Sequence, residues 1–518
     1  MTLFRPACFI STGSILIDIP LHVSSVPTPG GAITGASSGP VVGGGYTVVS
    51  AAARQGVPTA LAATLGTGPN SARVRESMRL DRVELLVEEL VGDIGTCTTL
   101  IEPSGRRTFI TTAGVEGEPV TLTPEAANRI AAGFVRLLTE KTGKQPAELR
   151  IAVGHDSRIS ALAIKDSVLT GLTHTGAHGI DCVLASTPAM FMATIFEDTA
   201  ADGSIMITAS HLPYNRNGLK FFTSAGGAEK SDIQKILTYA AEAEEAHGTL
   251  DNVLKFDLIG RYCEHLCKKI RDALGGAERP LAGMHIVVDA GNGAGGFFAG
   301  RILTPLGVDT SGSRYLNPDG HFPNHIPNPE NADAMRAIKD AVVKNHADLG
   351  LIFDTDVDRM SAVLADGTDV SRNALIAMMA AILAPDYPGS TIITDSVTSD
   401  GLTDFLENDL HLKHLRYMRG YKNVINECIR RNAAGEVSPL AIETSGHGAL
   451  SENYYLDDGA YLAVKLLIAA AKAHAEGKTL GDLIKDLRHP AEEREIRIKI
   501  TGTDDVKAYG RDVLAAFE

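Results

Sequence analysis

The chain has few cysteines and no excess of positive charge. Six cysteines are scattered over 518 residues, which is typical of a protein in a reducing cytoplasm. The formal net charge is −15, and this argues against nucleic acid or an anionic membrane as a partner, because both require basic patches. The acidity favours solubility, so an anionic substrate would need arginine and lysine side chains clustered in one place.

The sequence also lacks the patterns of a membrane span and of a signal peptide. No apolar run is long enough to cross a bilayer. The apolar start ACFISTGSILIDIP has no basic n-region and contains Asp18, so it predicts a first strand. With 44% hydrophobic and 21% charged residues, the chain has enough apolar mass for about three to five domains.

One pair of cysteines has a spacing that hints at a metal site. Cys263 and Cys267 lie one helical turn apart around His265. No second pair lies nearby in the sequence, so buried or surface thiols on a helix are favoured over a metal site.

Strand and helix patterns alternate over most of the chain. The runs LRIAVGHD, IDCVLAST and SIMITASH each end in a polar loop, and the pattern recurs downstream. Thr123 and Pro124 predict a helix start, because threonine caps helices and proline fits the first helical position. The alternation predicts α/β layers that are doubly wound, with mostly parallel sheets. We predict a strand-and-turn segment at 1–116 with one helix at 48–55, three α/β units at 117–258, 259–372 and 373–488, and a final segment at 489–518 with one strand, REIRIKI, and one helix at 505–517.

The first candidate functional loop carries Ser210. It follows an apolar strand and begins a turn, at the edge of a parallel sheet where ligands bind. A serine there could equally be a helix cap. His211 and Lys220 favour the functional interpretation, because both can move protons or stabilise a phosphate.

The second loop has carboxylates at alternating positions. Asp354, Asp356 and Asp358 directly follow the strand LGLIF, and such oxygens can converge on Mg²⁺ or Ca²⁺. An EF-hand would need glycine at Arg359 and glutamate at Ala365, so it is excluded. A haloacid-dehalogenase-like phosphatase stays open as an alternative, with the first aspartate as nucleophile, although that motif normally opens its domain. Carboxylates this close repel one another unless a cation compensates.

Other polar residues on loops after strands carry weaker signals. Glu443, Ser445 and His447 stand in ETSGH, where the glycine could simply make a turn. Arg158 and Lys422, each taken alone, are solvated charges more often than ligands. The glycine-rich stretch DAGNGAG lacks a P-loop Lys-Ser/Thr, so it predicts a tight turn.

Taken together and in order, these loops resemble those of the α-D-phosphohexomutase superfamily, in particular bacterial phosphomannomutase/phosphoglucomutase. The resemblance runs from about residue 117 to 518 and covers GHDSR, TASHLPYNRNGLK, DTDVDR and ETSGH. It implies that a hexose 1-phosphate and a hexose 6-phosphate of glucose or mannose are interconverted, with Mg²⁺ as cofactor and a hexose bisphosphate as activator and intermediate. The implied catalytic residues are Ser210, His211, Lys220 and Arg158; the metal ligands are phosphorylated Ser210, Asp354, Asp356 and Asp358; and the substrate-binding residues are Arg359, Lys422, Glu443, Ser445 and His447.

The sequence departs from the family pattern in three ways. Leu212 replaces an asparagine of the serine motif, and no opening strand with an Arg-bearing glycine loop is recognised before Thr121. The resemblance also implies a fourth domain, which we expect to be cut off at Glu518, before the loop that clamps substrate phosphate. We therefore expect three complete phosphohexomutase domains, a truncated fourth domain and a poor mutase.

The first 115 residues resemble a partial ribokinase-like (PfkB) sugar kinase. VGGGYTVVSAAARQG is similar to its glycine motif, with Thr47 where asparagine is usual, and Asp18 stands where an aspartate meets sugar hydroxyls. SGRRTFITTAG resembles the hairpin that follows. The nucleotide-binding half is absent, so the alternatives are a sugar kinase fragment, distinguished by ATP-dependent phosphorylation, or an inactive fusion joined near GVEGEP, distinguished by insolubility or no turnover.

Overall fold

The structure is a computed structural model. In it the chain forms two compact units, Met1–Thr121 and Leu122–Glu518. It describes residues 9–11, 15–26, 34–87, 93–104, 107–112, 122–250, 253–490, 492 and 506–516. The stretches GVEGEP (114–119) and REIRIKI (494–500), for which a junction and a strand are predicted, lie outside these residues. No helix in these ranges is both long and apolar enough to traverse a lipid bilayer.

The described part of the first unit contains two small sheets and two helices around one apolar core, so the prediction of a single helix there is wrong. Its elements are β1 (Phe9–Ser11), β2 (Ile15–His22), β3 (Ala36–Ser37), β4 (Val41–Gly44), α1 (Tyr46–Arg54), β5 (Thr59–Leu61), α2 (Pro69–Asp81), β6 (Val83–Leu85), β7 (Thr96–Ile101) and β8 (Arg107–Thr112). Helix α1 begins two residues before the predicted start and ends one residue earlier. Gly43 of the glycine motif faces Asp18, since a Cβ there would lie 2.1 Å from Oδ2 of that carboxylate. The two kinase-like motifs are thus in contact.

The second unit begins with a six-stranded sheet flanked by helices. Its elements are α3 (Pro124–Thr142), β9 (Arg150–His155), α4 (Ala161–His174), β10 (His178–Leu184), α5 (Thr187–Met192), β11 (Gly203–Ile207), β12 (Leu219–Thr223), β13 (Gly226–Gly227), α6 (Lys230–Glu242) and β14 (Leu254–Lys255). The strand order is β13-β12-β11-β9-β10-β14. Helix α3 starts as predicted, with the Thr123 hydroxyl accepting the amide of Ala126 at 3.2 Å and Pro124 in the first turn.

A second sheet and a third sheet follow along the chain. The second has α7 (Leu258–Ala273), β15 (Ile286–Asp289), α8 (Ala332–Asn345), β16 (Leu349–Phe353), β17 (Met360–Leu364) and β18 (Asp369–Val370). The third has α9 (Asn373–Leu383), β19 (Thr391–Asp395), α10 (Asp400–Asp404), β20 (Lys413–Tyr417), α11 (Tyr421–Ala433), β21 (Leu440–Ile442), β22 (Gly448–Leu450), β23 (Leu456–Asp457) and α12 (Gly459–Ala475). Helix α13 (Val506–Ala515) lies within the predicted 505–517.

Each of these sheets changes direction at one edge of its group of parallel strands. β11, β16 and β21 pair in parallel on one side and with an antiparallel strand, β12, β17 or β22, on the other. The expectation of mostly parallel sheets is therefore wrong for the second sheet and only half right for the third. The connecting loops at 354–359 and 443–447 are too short for a parallel crossover, which needs roughly a dozen residues or more.

The paired cysteines of α7 belong to the core. Cys263 and Cys267 are 3% and 5% exposed and form no disulfide. Burial raises the pKa of the Cys263 thiol to about 12. The ring of His265 packs edge-on against Phe196, with ring centroids 5.6 Å apart. The sequence predicted thiols on a helix, either buried or at the surface, and the structure shows that they are buried.

Helices α3 and α6 approach each other closely at Gly133. A Cβ on Gly133 would lie 2.5 Å from the carbonyl oxygen of Ile236 and 3.1 Å from the amide nitrogen of Ala240, both on α6. Because these are backbone atoms, they cannot move aside without moving the helix.

We expect Gly133→Ala to lower the free energy of unfolding by about 1–3 kcal/mol, the usual cost of overpacking. The matched control is Gly248→Ala, since a Cβ there meets nothing within 4 Å. The control should stay within about 0.5 kcal/mol of the parent in denaturant unfolding. Equal stabilities for the two variants would contradict the close-packing interpretation.

Candidate active site

Three loops occupy equivalent places in the three sheets, each linking the strand at one edge of the parallel group to its antiparallel neighbour. We name them the serine loop (208–218), the metal loop (354–359) and the polar loop (443–447). Each contains a residue with positive φ: Ser210 at 50°, Val357 at 67° and Gly446 at 93°. Positive φ is uncommon outside glycine and especially unfavourable for a β-branched residue, and such strain concentrates at functional sites.

The metal loop brings its carboxylates together in a buried place. Asp354, Asp356 and Asp358 are 0%, 0% and 4% exposed, and their ligand atoms lie within 4.8 Å of one another. Oδ1 of Asp356 and Oδ1 of Asp358 are buried without a hydrogen-bond partner among the described residues. Hard oxygen donors of this kind fit Mg²⁺. The two unsatisfied oxygens support that fit, because a buried carboxylate oxygen normally has a partner.

Two cations partly neutralise this cluster. The Lys220 ammonium, from β12, donates to Oδ2 of Asp356 at 2.8 Å and to Oδ2 of Asp358 at 2.6 Å. Arg359 is 1% exposed and donates through Nε to Oδ2 of Asp354 at 3.3 Å. The first and second sheets are therefore joined by charge as well as by packing.

The pKa values of Asp354 and Asp358 are shifted in opposite directions. Burial, together with the neighbouring Asp358 and Asp356 charges, raises the pKa of Asp354 well above its usual value. Burial also opposes ionisation of Asp358, but Lys220, His447 and Arg359 hold its pKa below the usual range. A divalent cation would favour ionisation of all the carboxylates.

The serine loop brings a hydroxyl to the metal loop. Oγ of Ser210 donates to Oδ2 of Asp354 at 3.2 Å, although the two residues are 144 positions apart. Nδ1 of the exposed His211 lies 3.3 Å from the same Oγ. The amide of Ser210 donates to Oγ1 of Thr208 at 2.9 Å, which fixes the start of the loop. A candidate nucleophile, a candidate base and a candidate metal ligand therefore meet at one point.

Arg158 lies against the backbone of the serine loop. Its guanidinium, 2% exposed, donates to loop carbonyls, and its Nε donates to Oδ2 of Asp156 at 3.1 Å. The carbonyl acceptors are Ser210, Leu212 (2.7 Å), Pro213 (2.5 Å) and Arg216 (3.0 Å). Its donors are thus used by the protein itself, which is the geometry of a positioning residue, and its predicted catalytic role stays a prediction.

We expect Arg158→Lys to lower kcat by at least ~100-fold with little change in KM, because a loop displaced by about 1 Å costs that much in rate. The lysine ammonium is a compact point charge and cannot donate to several carbonyls in the fixed, forked geometry of the guanidinium. The control is Arg136→Lys, since Arg136 forms an exposed ion pair with Glu242. Steady-state kinetics would contradict this role if KM rose while kcat stayed at the parent value.

The polar loop forms a chain of hydrogen bonds. Oε1 of Glu443 accepts the amide of Gly420 at 2.6 Å, and Oε2 accepts the Ser445 hydroxyl at 3.3 Å. Oγ of Ser445 also lies 2.9 Å from Nδ1 of His447. The His447 ring stacks on Tyr421 with centroids 5.2 Å apart, and its Nε2 lies 3.7 Å from Oδ1 of Asp358. The polar loop, which is predicted to bind the substrate, therefore borders the metal loop directly.

Lys422 points to the first sheet. Its ammonium donates to the carbonyls of Gly227 and Ala228 at 3.0 and 2.6 Å and pairs with Glu229 at 3.0 Å. It is therefore held by the edge hairpin, and its predicted contact with substrate stays a prediction.

The sequence interpretation missed two residues that support the metal loop. Thr187 donates its hydroxyl to Oδ2 of Asp356, and its amide donates to the carbonyl of Asp356 at 2.8 Å. Gly293 approaches the loop closely, since a Cβ there would lie 2.6 Å from the carbonyl oxygen of Thr355. Ser186-Thr187-Pro188 has the pattern of a helix start, and Ser186 does cap α5, so the sequence gives no signal for the second role.

Comparison with known proteins shows which family has domains of this kind. Models of the phosphoglucomutase/phosphomannomutase α/β/α domains I, II and III match residues 107–247, 260–367 and 371–490. A phosphoglucomutase/phosphomannomutase of Thermococcus kodakarensis is 30% identical over 379 residues, 72% of this chain and 78% of the relative. A phosphoglucomutase of Neisseria gonorrhoeae is 27% identical over 382 residues, 73% of this chain and 77% of the relative.

A solved structure agrees with these relatives. A crystal structure of a phosphoglucomutase/phosphomannomutase family protein from Burkholderia thailandensis has a TM-score of 0.61 and 25% identity, over 72% of this chain and 77% of that one. Three α/β/α domains that each contribute one loop to a shared site define an intramolecular phosphotransferase. The chain belongs to the phosphoglucomutase/phosphomannomutase family.

The match to domain I begins ahead of the predicted boundary at 117. It starts at residue 107 and so takes in β8, which pairs with β7 in the first unit and resembles the second half of a kinase hairpin. The assignment of the first 115 residues to a ribokinase-like domain stays a prediction.

Proposed function

We propose that this phosphohexomutase interconverts the 1- and 6-phosphates of glucose and mannose, with Ser210 as the phosphate carrier. The observation that carries the proposal is the 3.2 Å contact from Oγ of Ser210 to Oδ2 of Asp354. It brings a nucleophile from the first sheet to a trio of carboxylates from the second. Phosphoryl transfer depends mainly on such positioning and on neutralised charge.

Asp354, Asp356 and Asp358 would hold Mg²⁺, together with a phosphate oxygen on Ser210. The bound cation would neutralise charge that develops on the transferring phosphoryl group. Lys220 and Arg359 supply fixed positive charge at the same place, since both already contact these carboxylates.

His211 is the better candidate for moving the hydroxyl proton. Partial desolvation by neighbouring atoms, and the positive charges of Arg359 and Lys220, lower its pKa, which favours the neutral ring that can accept a proton. Lys220 is also penalised by burial, but Asp356 and Asp358 raise its pKa well above the usual value, so it stays charged. We therefore assign to Lys220 the stabilisation of phosphate oxygens and to His211 the role of base.

One transfer breaks the bond from phosphorus to Ser210 Oγ and forms a bond to a free hydroxyl of the sugar phosphate. The proton of that hydroxyl goes to the base, and one proton returns to Ser210 Oγ to restore the serine hydroxyl. The product of this step is a hexose bisphosphate, which must turn over before its other phosphate returns to Ser210. Glu443 and Ser445 would hold the 3- and 4-hydroxyls through both orientations. Glucose and mannose share these hydroxyls, so both sugars belong to the proposed substrate class.

The phosphatase alternative is disfavoured by the contacts of Asp354. Its Oδ1 accepts the amide of Arg359 at 3.2 Å, and its Oδ2 accepts both the Ser210 hydroxyl and Nε of Arg359. A carboxylate that is 0% exposed and engaged on both oxygens is poorly placed to attack phosphorus.

We expect Mg²⁺ to raise the melting temperature, because it binds the folded chain and relieves repulsion among the carboxylates. The effect should weaken as pH falls, since the raised pKa of Asp354 lets protons compete with the cation above the usual carboxylate range. Asp354→Asn should abolish the shift, while Asp386→Asn, an exposed control, should keep it. A parent melting curve indifferent to Mg²⁺ would contradict the metal assignment.

We expect phosphopeptide analysis after incubation with a hexose bisphosphate to place phosphate on Ser210. Ser210→Ala should show no incorporation and no transfer, because the carrier hydroxyl is gone. Ser224→Ala, at an exposed turn serine, is the control and should behave like the parent. Phosphate found on Asp354 would support the phosphatase alternative instead.

A further inference from the structure

A second group of ligand atoms lies beside the metal loop. Asp358, His447 and Asp457 each offer one such atom, and these atoms lie within 4.8 Å of one another. We propose that they form a second cation site, which takes a divalent transition-metal ion, Zn²⁺ by preference.

The distances suit one shared ion better than direct hydrogen bonds. Nε2 of His447 lies 3.7 Å from Oδ1 of Asp358 and 3.6 Å from Oδ2 of Asp457. These separations exceed hydrogen-bond length. Ligand atoms at about 2.0–2.2 Å from a tetrahedral Zn²⁺ lie roughly 3.4 Å apart, close to the observed spacing.

The two carboxylate oxygens that face His447 are unsatisfied. Oδ1 of Asp358 and Oδ2 of Asp457 are buried and have no hydrogen-bond partner in the part of the chain that the structure describes. Asp457 is 8% exposed. The other oxygen of each residue is used, since Lys220 donates to Asp358 and the amide of Gly448 donates to Asp457 at 2.9 Å. The free lone pairs therefore converge on one point.

The imidazole is held in the orientation that a metal ligand needs. Its Nδ1 lies 2.9 Å from the Ser445 hydroxyl, which is linked to Glu443, and its ring is stacked on Tyr421. A hydrogen bond at one ring nitrogen fixes the tautomer and leaves the other nitrogen for the metal. Here that other nitrogen is Nε2, the atom that faces the two carboxylates.

The donor chemistry separates this site from that of the metal loop. The aspartates of the metal loop offer oxygen only, which suits Mg²⁺, whereas a set with one imidazole nitrogen suits Zn²⁺ and similar ions. Asp358 belongs to both sites. If the proposed function holds, Zn²⁺ would occupy Asp358 and His447 and thereby inhibit the mutase.

The test is metal binding by the full chain, measured by calorimetry with ZnCl₂ and by the visible absorption of Co²⁺ added as CoCl₂. Asp457→Asn should weaken Zn²⁺ binding at least about tenfold, because loss of a ligand costs no less than loss of an outer-shell partner. It should also remove the Co²⁺ band and keep the Mg²⁺-dependent rise in melting temperature. Asp386→Asn, at an exposed aspartate, is the matched control and should bind like the parent.

A second variant protects the test against misfolding of the first. His447→Gln should lose Zn²⁺ and the Co²⁺ band as Asp457→Asn does. If either variant, folded by its melting curve, binds Zn²⁺ as tightly as the parent, the proposal is overturned. It is also overturned if Asp354→Asn abolishes Zn²⁺ binding while Asp457→Asn does not, because the ion would then occupy the metal loop. Failure of the Mg²⁺ shift alone would count against the proposed function and leave this site standing.

Discussion

The structure depends on keeping several carboxylates buried at one place. Asp354, Asp356 and Asp358 follow a buried strand, so their repulsion cannot be relieved by water. It is relieved instead by a lysine from the preceding sheet and an arginine from their own loop. Because Lys220 stands on β12, the charge balance of the second domain depends on the position of the first.

The repeated geometry explains how distant parts of the chain can share one site. In each sheet a parallel strand leads into a short loop and returns antiparallel, so the loop is fixed at both ends by strand pairing. A loop held in this way can keep strained residues such as Ser210 and Val357 in their positive-φ conformations. Loops that joined distant parallel strands would have more freedom.

The local sequence pattern was sufficient to predict those structural features whose determinants lie close together in the sequence. The helix start at Thr123 and the alternating aspartates after their strand are both set by neighbours within a few residues. The antiparallel turn after each loop, the anchoring of Arg158 under the serine loop and the second role of Thr187 are set by tertiary contacts. For Arg158 the partners lie more than fifty residues away, and nothing in GHDSR distinguishes a phosphate ligand from a support for backbone carbonyls.

The attachment of Lys422 to the first domain has a consequence for affinity. Three oxygen atoms of the edge hairpin already hold its ammonium group. A ligand that recruits this lysine must compete with those oxygens, so its apparent dissociation constant rises in inverse proportion to the population in which the lysine is released. Loosening the hairpin near Glu229 would then tighten binding without adding any contact to the ligand.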